Sequence, residues 1–350
     1  MAHVSREDRL QYVPFVVDET PYACWEWNIR ERNLEFLDGI DPEFYTYIVD
    51  VHAGHLDDAD HGLKAALAIR TTYGMALETF FALLGALVQA PQCVYGWVMR
   101  YQVAELENLV RKLKDGDEVL TVWPSQPSLD DFSTEIHGFL GYEDAKKEWI
   151  SKGFGDAWRR FAGDFLDELE RAEYNSAKHG LRTRLGGFSL AMGPEDEPGK
   201  RARPEVMRSM GGSRFGSSFF VPVNLGEGKR NFRAKRTHRN WVPENTINGV
   251  HLISMSIGNV VSALKIFNGV EPQKCKFHNP DTPDAFEAPW ALTPGVLNFS
   301  MDANIDPSYI RPLTKPEILG RYVNKPEGNA GSTSRDADAE TTPPDAPAGS

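Results

Sequence analysis

The chain has 350 residues, 41% of them apolar and 11% aromatic, which is ample for a packed core and excludes an intrinsically disordered protein. Three cysteines, Cys24, Cys93 and Cys275, stand far apart, which excludes a disulfide scaffold and points to a reducing, cytoplasmic compartment. The formal net charge of -12 conceals an asymmetry: residues 171–239 hold 15 Lys/Arg against 6 Asp/Glu, about +9, leaving about -21 for the rest.

Residues 1–55 read as an aromatic-rich lead-in. They open without a basic region followed by an apolar run, so no secretory signal is expected. Tyr22, Trp25, Trp27, Phe36, Phe44, Tyr45 and Tyr47, with turn pairs at Asp38-Gly39 and Asp41-Pro42, predict a strand or two followed by helix. The aromatics would pack on the main core or, alternatively, offer a stacking surface for bases.

Residues 56–185 read as the first part of an antiparallel helical bundle. Its central helix opens at Asp57 or Asp58 as N-cap and stops before Pro91, with Leu63, Leu67, Tyr73, Leu77, Phe81, Leu84 and Val88 close to a 3.6-residue period. The apolar run around Ala76–Ala90 is interrupted by Glu78 and is too short for a membrane span, so no membrane partner is expected. Gly74 and Gly85 would admit close neighbours, while Arg70 and Glu78 require partners on other helices or membership of a polar site. Just upstream, His52, His55, Asp58 and His61 recur at three-residue steps; Ala53-Gly54 breaks their common face, which favours a solvated helix entrance over a metal site. A second helix is predicted from about Trp97 to Lys114, with Val103, Leu106, Val110 and Leu113 inward, and a short one over about 142–152. A long helix then starts near Trp158 and ends around Gly180, burying Phe161, Phe165, Leu169 and Ala172.

Residues 186–242 change character. Strand-like alternation around the Gly226-Glu227-Gly228 turn predicts a small inserted β hairpin. Its second arm carries Lys229, Arg230, Arg233, Lys235, Arg236 and Arg239 beside Phe232 and Trp241, a pattern able to grip a nucleic-acid backbone and stack on bases. The other reading is a solvated edge strand guarded by positive charge. The basic excess as a whole could meet phosphates, or dock on the acidic remainder of the same chain or of a second copy. Residues 243–269 form the closing helix of the bundle, with Val250, Ile253, Ile257, Val260, Leu264 and Phe267 in period. Residues 270–325 wrap the surface with little regular structure; Cys275 and His278 make a lone CxxH without a second ligand pair. Residues 326–350 have almost nothing to bury and are expected to be a disordered tail. The fold class is mainly α, and no cofactor or metal is expected.

One stripe carries chemistry. Arg171, Asn175, His179 and Arg182 follow at steps of four, four and three. RNA cleavage by its own 2'-hydroxyl needs an acid or base near neutral pH, which His179 could be, and cations for the phosphorane, which Arg171, Lys178 and Arg182 could supply. Asn175 would orient His179, with Glu78 a further partner. The alternative is a structural Asn175/His179 pair closing the helix near Gly180.

The central helix LKAALAIRTTYGMALETFFALLGALV, the later YNSAKHG helix and the closing helix together resemble the HEPN superfamily. That resemblance implies a four-helix core. It also implies either a metal-independent ribonuclease of defence or toxin type, or a noncatalytic binding or dimerisation module. In active members an Arg and a His four to six residues apart on one helix meet those of a second protomer. Arg171 and His179 have seven residues between them, while Arg233 and His238 fit the spacing but lie in the expected hairpin. The expected partners are RNA and a second copy through the helical bundle.

Overall fold

In the computed structural model the described residues run from 10 to 322, apart from 127, 180–181, 196, 201, 226–227, 302–304 and 306–308. The expected tail 326–350 and the helix end at Gly180 lie outside the described residues, as do Gly226 and Glu227 of the expected turn. Two units separate, residues 1–223 with 234–304 and residues 224–233 with 305–350.

The first unit begins with antiparallel strands β1 (Gln11–Val17) and β2 (Thr20–Glu26), registered from Gln11↔Glu26 to Val17↔Thr20. Strand alternation buries Phe15 and Val17 and turns Tyr12 and Trp25 outward, where their rings stack 4.8 Å apart. The aromatics of the lead-in therefore divide. Tyr22, Phe36 and Tyr45 pack on the core as expected, but Trp25, Trp27, Phe44 and Tyr47 are exposed. Helices α1 (Ile29–Asp38) and α2 (Glu43–Ala53) follow.

Helix α3 (Gly62–Gln89) is the centre of the core, packed along α9 (Pro243–Phe267), and both are buried over most of their length. It starts later than expected. Asp58 commits its carboxylate to the amides of Asp60 (2.8 Å) and His61 (3.2 Å), and so caps a turn rather than the helix. By length and apolarity α3 and α9 could each cross a bilayer, contrary to the expectation of a run too short to do so. Yet 72% of each apolar window is buried inside the protein, the position of a core helix. The glycine expectation holds in detail: a Cβ on Gly74 would stand 2.6 Å from the Tyr174 ring, and one on Gly85 2.5 Å from the Trp97 ring.

The single helix expected over 97–114 is two, α4 (Val94–Arg100) and α5 (Val103–Asp115). Extended backbone at Tyr101 and Gln102 separates them, Gln102 and Glu105 form a capping box, and Gly116 ends α5 with a φ of 76°. After α6 (Leu129–His137), helix α7 (Asp144–Leu166) absorbs the short helix expected over 142–152, and the helix expected to run on from Trp158 breaks at Asp167. Asp167 accepts from the Glu170 amide at 2.7 Å and starts α8 (Glu168–Lys178). Phe161 and Phe165 therefore belong to α7. The buried face of α8 is Glu173, Ser176 and Ala177, with Leu169 and Ala172 only half-buried.

Beyond α8 come β3 (Arg184–Leu185), β4 (Ser189–Met192), β5 (Arg208–Gly212), β6 (Gly216–Asn224), β7 (Phe232–Asn240) and β8 (Asn298–Met301). β4 pairs with β5, while the other four form one sheet in the order β3-β6-β7-β8. The last strand was not foreseen: four residues from the proline-rich 270–325 segment pair with β7, from Arg236↔Met301 to Arg239↔Asn298. The same segment returns Phe286 and Trp290 to the core, against Phe154 and Phe161, each pair with ring centroids 5.0 Å apart. In the second unit, Asn231 brackets the Leu313 backbone with two hydrogen bonds (3.1 and 2.9 Å), and Thr314 and Glu317 cap α10 (Lys315–Leu319).

Candidate functional site

Because Gly74 lacks a side chain, the Tyr174 ring of α8 lies directly on the α3 backbone. Beside it opens a cleft of about 120 Å³ between α3, α5, α7 and α8. Arg171, Asn175, Lys178, His179 and Glu78 all border this cleft, so the structure brings the candidate catalytic residues together. Arg182 is exposed and does not line it.

The electrostatics of the cleft differ from expectation. Arg171 is ion-paired with Glu107 of α5. Lys178 approaches Glu78 at 3.4 Å, and Glu78 also accepts from the hydroxyls of Tyr101 (3.3 Å) and Tyr174 (3.4 Å). Arg70 pairs with Glu170 and, at 3.2 Å, with Glu173. Both charges that the sequence left needing partners thus find them on other helices. The lining carries five carboxylates, Glu78, Glu107, Asp164, Glu170 and Glu173, against the three cations Arg70, Arg171 and Lys178. Each of those cations is neutralised within the chain. Stabilising a phosphorane calls for cations free to meet new negative charge, and the three cations of this lining each already face a carboxylate.

His179 closes α8 and is exposed. Its amide donates to the Asn175 carbonyl at 3.0 Å, an ordinary helical bond. Among the described residues no side-chain hydrogen bond joins Asn175 to His179.

Glu173, 2% exposed, is the hub behind the cleft. It accepts from the Ser217 hydroxyl, from Trp241 Nε1 at 2.9 Å and from Arg70, while Arg239 Nε stands 3.9 Å away. Arg239 also pairs with Glu170 and, at 3.2 Å, with Asp167. Two expectations fall here. Arg239 is 15% exposed at its side chain and held by three carboxylates, so it is not available to a phosphate backbone; Trp241 is buried and not available for stacking. Of the remaining basic candidates, Lys229 and Arg230 are exposed, and Arg233, Lys235 and Arg236 are half-buried along β7. Arg233 and His238 lie on a strand, where a step of five places them on opposite faces.

Sequence reasoning missed Asp164, Tyr73, Glu107, Tyr101 and Tyr174. The Tyr73 hydroxyl donates to Asp164 Oδ2 at 2.5 Å and Trp290 Nε1 reaches the same oxygen at 3.4 Å. Burial, then the nearby Glu170 charge, push the Asp164 carboxyl up to about 6. A signal existed: Asp164 stands three residues after Phe161, a carboxylate on an apolar helical stripe. His137 was also missed. It is fully buried, stacked on Phe154 at 4.4 Å, with Nδ1 donating to the Ser133 carbonyl at 2.7 Å and Nε2 accepting from Asn259 at 3.0 Å. Burial lowers its pKa to about 4, so the ring is neutral.

Among the described residues no group of three or more His, Cys, Asp and Glu side chains is arranged to hold a metal, and His52, His55, Asp58 and His61 do not assemble. Cys24 and Cys93, remote in sequence, do meet: Cys24 Sγ lies 3.0 Å from the Tyr95 hydroxyl, and burial, then a hydrogen bond with Cys24, push the Cys93 thiol up to about 12. Comparison of the chain with protein-family models, with curated proteins and with solved structures finds no match.

Proposed function

We propose that this chain is a nucleic-acid-directed binding protein without catalytic activity, built on a HEPN-like antiparallel helical bundle with a β-hairpin insertion and able to pair with a second copy through its helices. One observation carries the noncatalytic part of this reading: Arg171, Lys178 and Arg70, the cations beside His179, are each paired with a carboxylate of the same chain. Withdrawing Arg171 or Lys178 to meet a phosphate would take from Glu107 or Glu78 its cationic partner, and withdrawing Arg70 would break two ion pairs at once, at a cost that grows with burial. The Lys and Arg excess of residues 171–239 supports the nucleic-acid part.

A second reading is kept by a separate observation, the convergence of Arg171, Asn175, Lys178 and His179 on one cleft. It makes the protein a metal-independent ribonuclease with His179 as acid or base. The test incubates wild type and His179→Ala with a labelled RNA in the presence of chelator, alongside a binding titration at low salt. The proposal expects binding by both proteins and cleavage by neither. Chelator-resistant cleavage that falls about 10² to 10⁴-fold in His179→Ala would establish the ribonuclease instead.

A further inference from the structure

The four strands β3, β6, β7 and β8 contain five Lys/Arg and no Asp or Glu. Their two faces differ. Inward, Arg239 is spent on α8 carboxylates, and Ser217 on Glu173. Outward, a row crosses all four strands: Arg184 is registered with Ser218, the Ser218 hydroxyl meets His238 Nδ1 at 2.6 Å, and His238 is registered with Phe299. Phe188 closes that end of the row, its ring centroid 6.0 Å from both His238 and Phe299.

Two residues along the strands, about 6.7 Å further, alternation brings Phe220 and Arg236 to the same face. Phe220 is 62% exposed and Phe299 40% exposed. No carboxylate of the described residues lies within ion-pair distance of Arg184 or Arg236. Both guanidiniums act on His238, whose pKa is lowered first by burial and then by Arg236 and Arg184.

An exposed Phe on a sheet is ordinarily a liability, and an unpaired Arg beside it ordinarily only keeps the edge soluble. Here aromatic faces and guanidiniums alternate across one surface on whose strands the described residues include no acidic side chain. Rings offer stacking to any base, whatever its sequence, and the two arginines offer contacts to the backbone phosphates between bases. A duplex keeps its bases stacked on one another and cannot use the rings, so the surface fits an unpaired strand.

We infer that this outer sheet face, with Phe220 and Phe299 as stacking platforms and Arg184 and Arg236 as phosphate contacts, binds single-stranded nucleic acid. The inference rests on the nucleic-acid reading above and adds to it the site and the strandedness of the ligand. Phe220 is the sharpest probe, since so exposed a ring can be truncated without opening the core.

The test measures binding of a fluorescein-labelled single-stranded RNA, its single-stranded DNA counterpart and the matching RNA duplex to the full chain at low salt. The proteins are wild type, Phe220→Ala, Phe220→Tyr and Arg184→Ala/Arg236→Ala, each checked by thermal melting. Expected are tighter binding of the single strands than of the duplex, a loss of roughly five- to hundredfold in Phe220→Ala, and retention in Phe220→Tyr. A similar loss is expected in the double arginine variant, with unchanged melting. Single-strand binding that is equal in wild type, Phe220→Ala and the arginine variant overturns this face as the site and leaves the binding reading standing. No binding of any probe by wild type overturns both. Preference for the duplex overturns the strandedness.

Discussion

The α3–α8 cleft and the outer face of the four-stranded sheet are both lined by cations in the same chain, and they differ in what those cations touch. In the cleft, Arg70, Arg171 and Lys178 face carboxylates from other elements, and Arg239 does the same behind it. On the sheet, Arg184 and Arg236 share a face with Phe220 and Phe299, without a carboxylate of the described residues at ion-pair distance. A local excess of positive charge is therefore not one property. Part of it meets the acidic remainder of the chain and holds elements together, and part of it has no carboxylate partner among the described residues.

The largest expected effect breaks the cleft side of this contrast. Glu173→Ala removes the buried acceptor shared by Arg70, Trp241 and Ser217, leaving the Trp241 and Ser217 donors unpaired and Arg70 to Glu170 alone, so the protein should lose about 3–5 kcal/mol in denaturant unfolding. Loss of less than about 1 kcal/mol would mean that the network is not structural.

Next is Gly74→Ala, whose methyl would meet the Tyr174 ring at 2.6 Å. Overpacking there should cost about 1–3 kcal/mol, and adding Tyr174→Ala should recover part of it, a non-additivity readable in a double-mutant cycle.

The pH dependence sharpens the comparison, because two buried groups pull in opposite directions. His137 is neutral in the fold with its pKa lowered to about 4, against about 6.5 unfolded, so the unfolded state binds more protons between those values. Its contribution is fully present above pH 6.5 and is lost as pH falls towards 4. Asp164 is the reverse: with its pKa raised to about 6 from about 3.8, the folded state holds the extra proton. Its contribution is present below pH 3.8 and is lost as pH rises through 6. The two oppose each other over most of that window. Asp164→Asn keeps the Tyr73 hydroxyl bonded but removes one slope, so its stability should fall more steeply than that of wild type between pH 6 and 4. Parallel stability curves for the two proteins would contradict the assignment.

The smallest effect belongs to Arg171→Ala. Its bond to Glu107 is partly solvated, and melting should shift by no more than about 1 kcal/mol equivalent.

Long helices were legible because period and punctuation agree in them. α3 stops before Pro91 and α9 begins at Pro243, both as read from the residues. The break at Asp167 was legible and missed: Asp167 followed three residues later by Glu170 is a helix-start pattern, overridden by the apolar residues on either side. β8 was not legible, since a four-residue strand among prolines has no periodicity of its own and exists by pairing with β7. For the cleft, the sequence pointed to residues that border one cavity and not to their state. Nothing local to Lys178 announces Glu78, 100 positions away, or tells Arg239 from Arg236 three residues before it on the same strand. Pairing is a tertiary property, and it decides here which charges are neutralised within the chain.

The most direct measurement is the salt dependence of single-stranded RNA binding by wild type, Arg184→Ala/Arg236→Ala and Arg171→Ala/Lys178→Ala. A cation that contacts phosphate adds about 0.7 to the magnitude of the slope of log K against log salt for a single strand. The account predicts a slope shallower by about 1.4 when Arg184 and Arg236 are removed, and an unchanged slope when Arg171 and Lys178 are removed. A slope that flattens only in the Arg171 and Lys178 variant would contradict it, and would place the nucleic acid in the cleft.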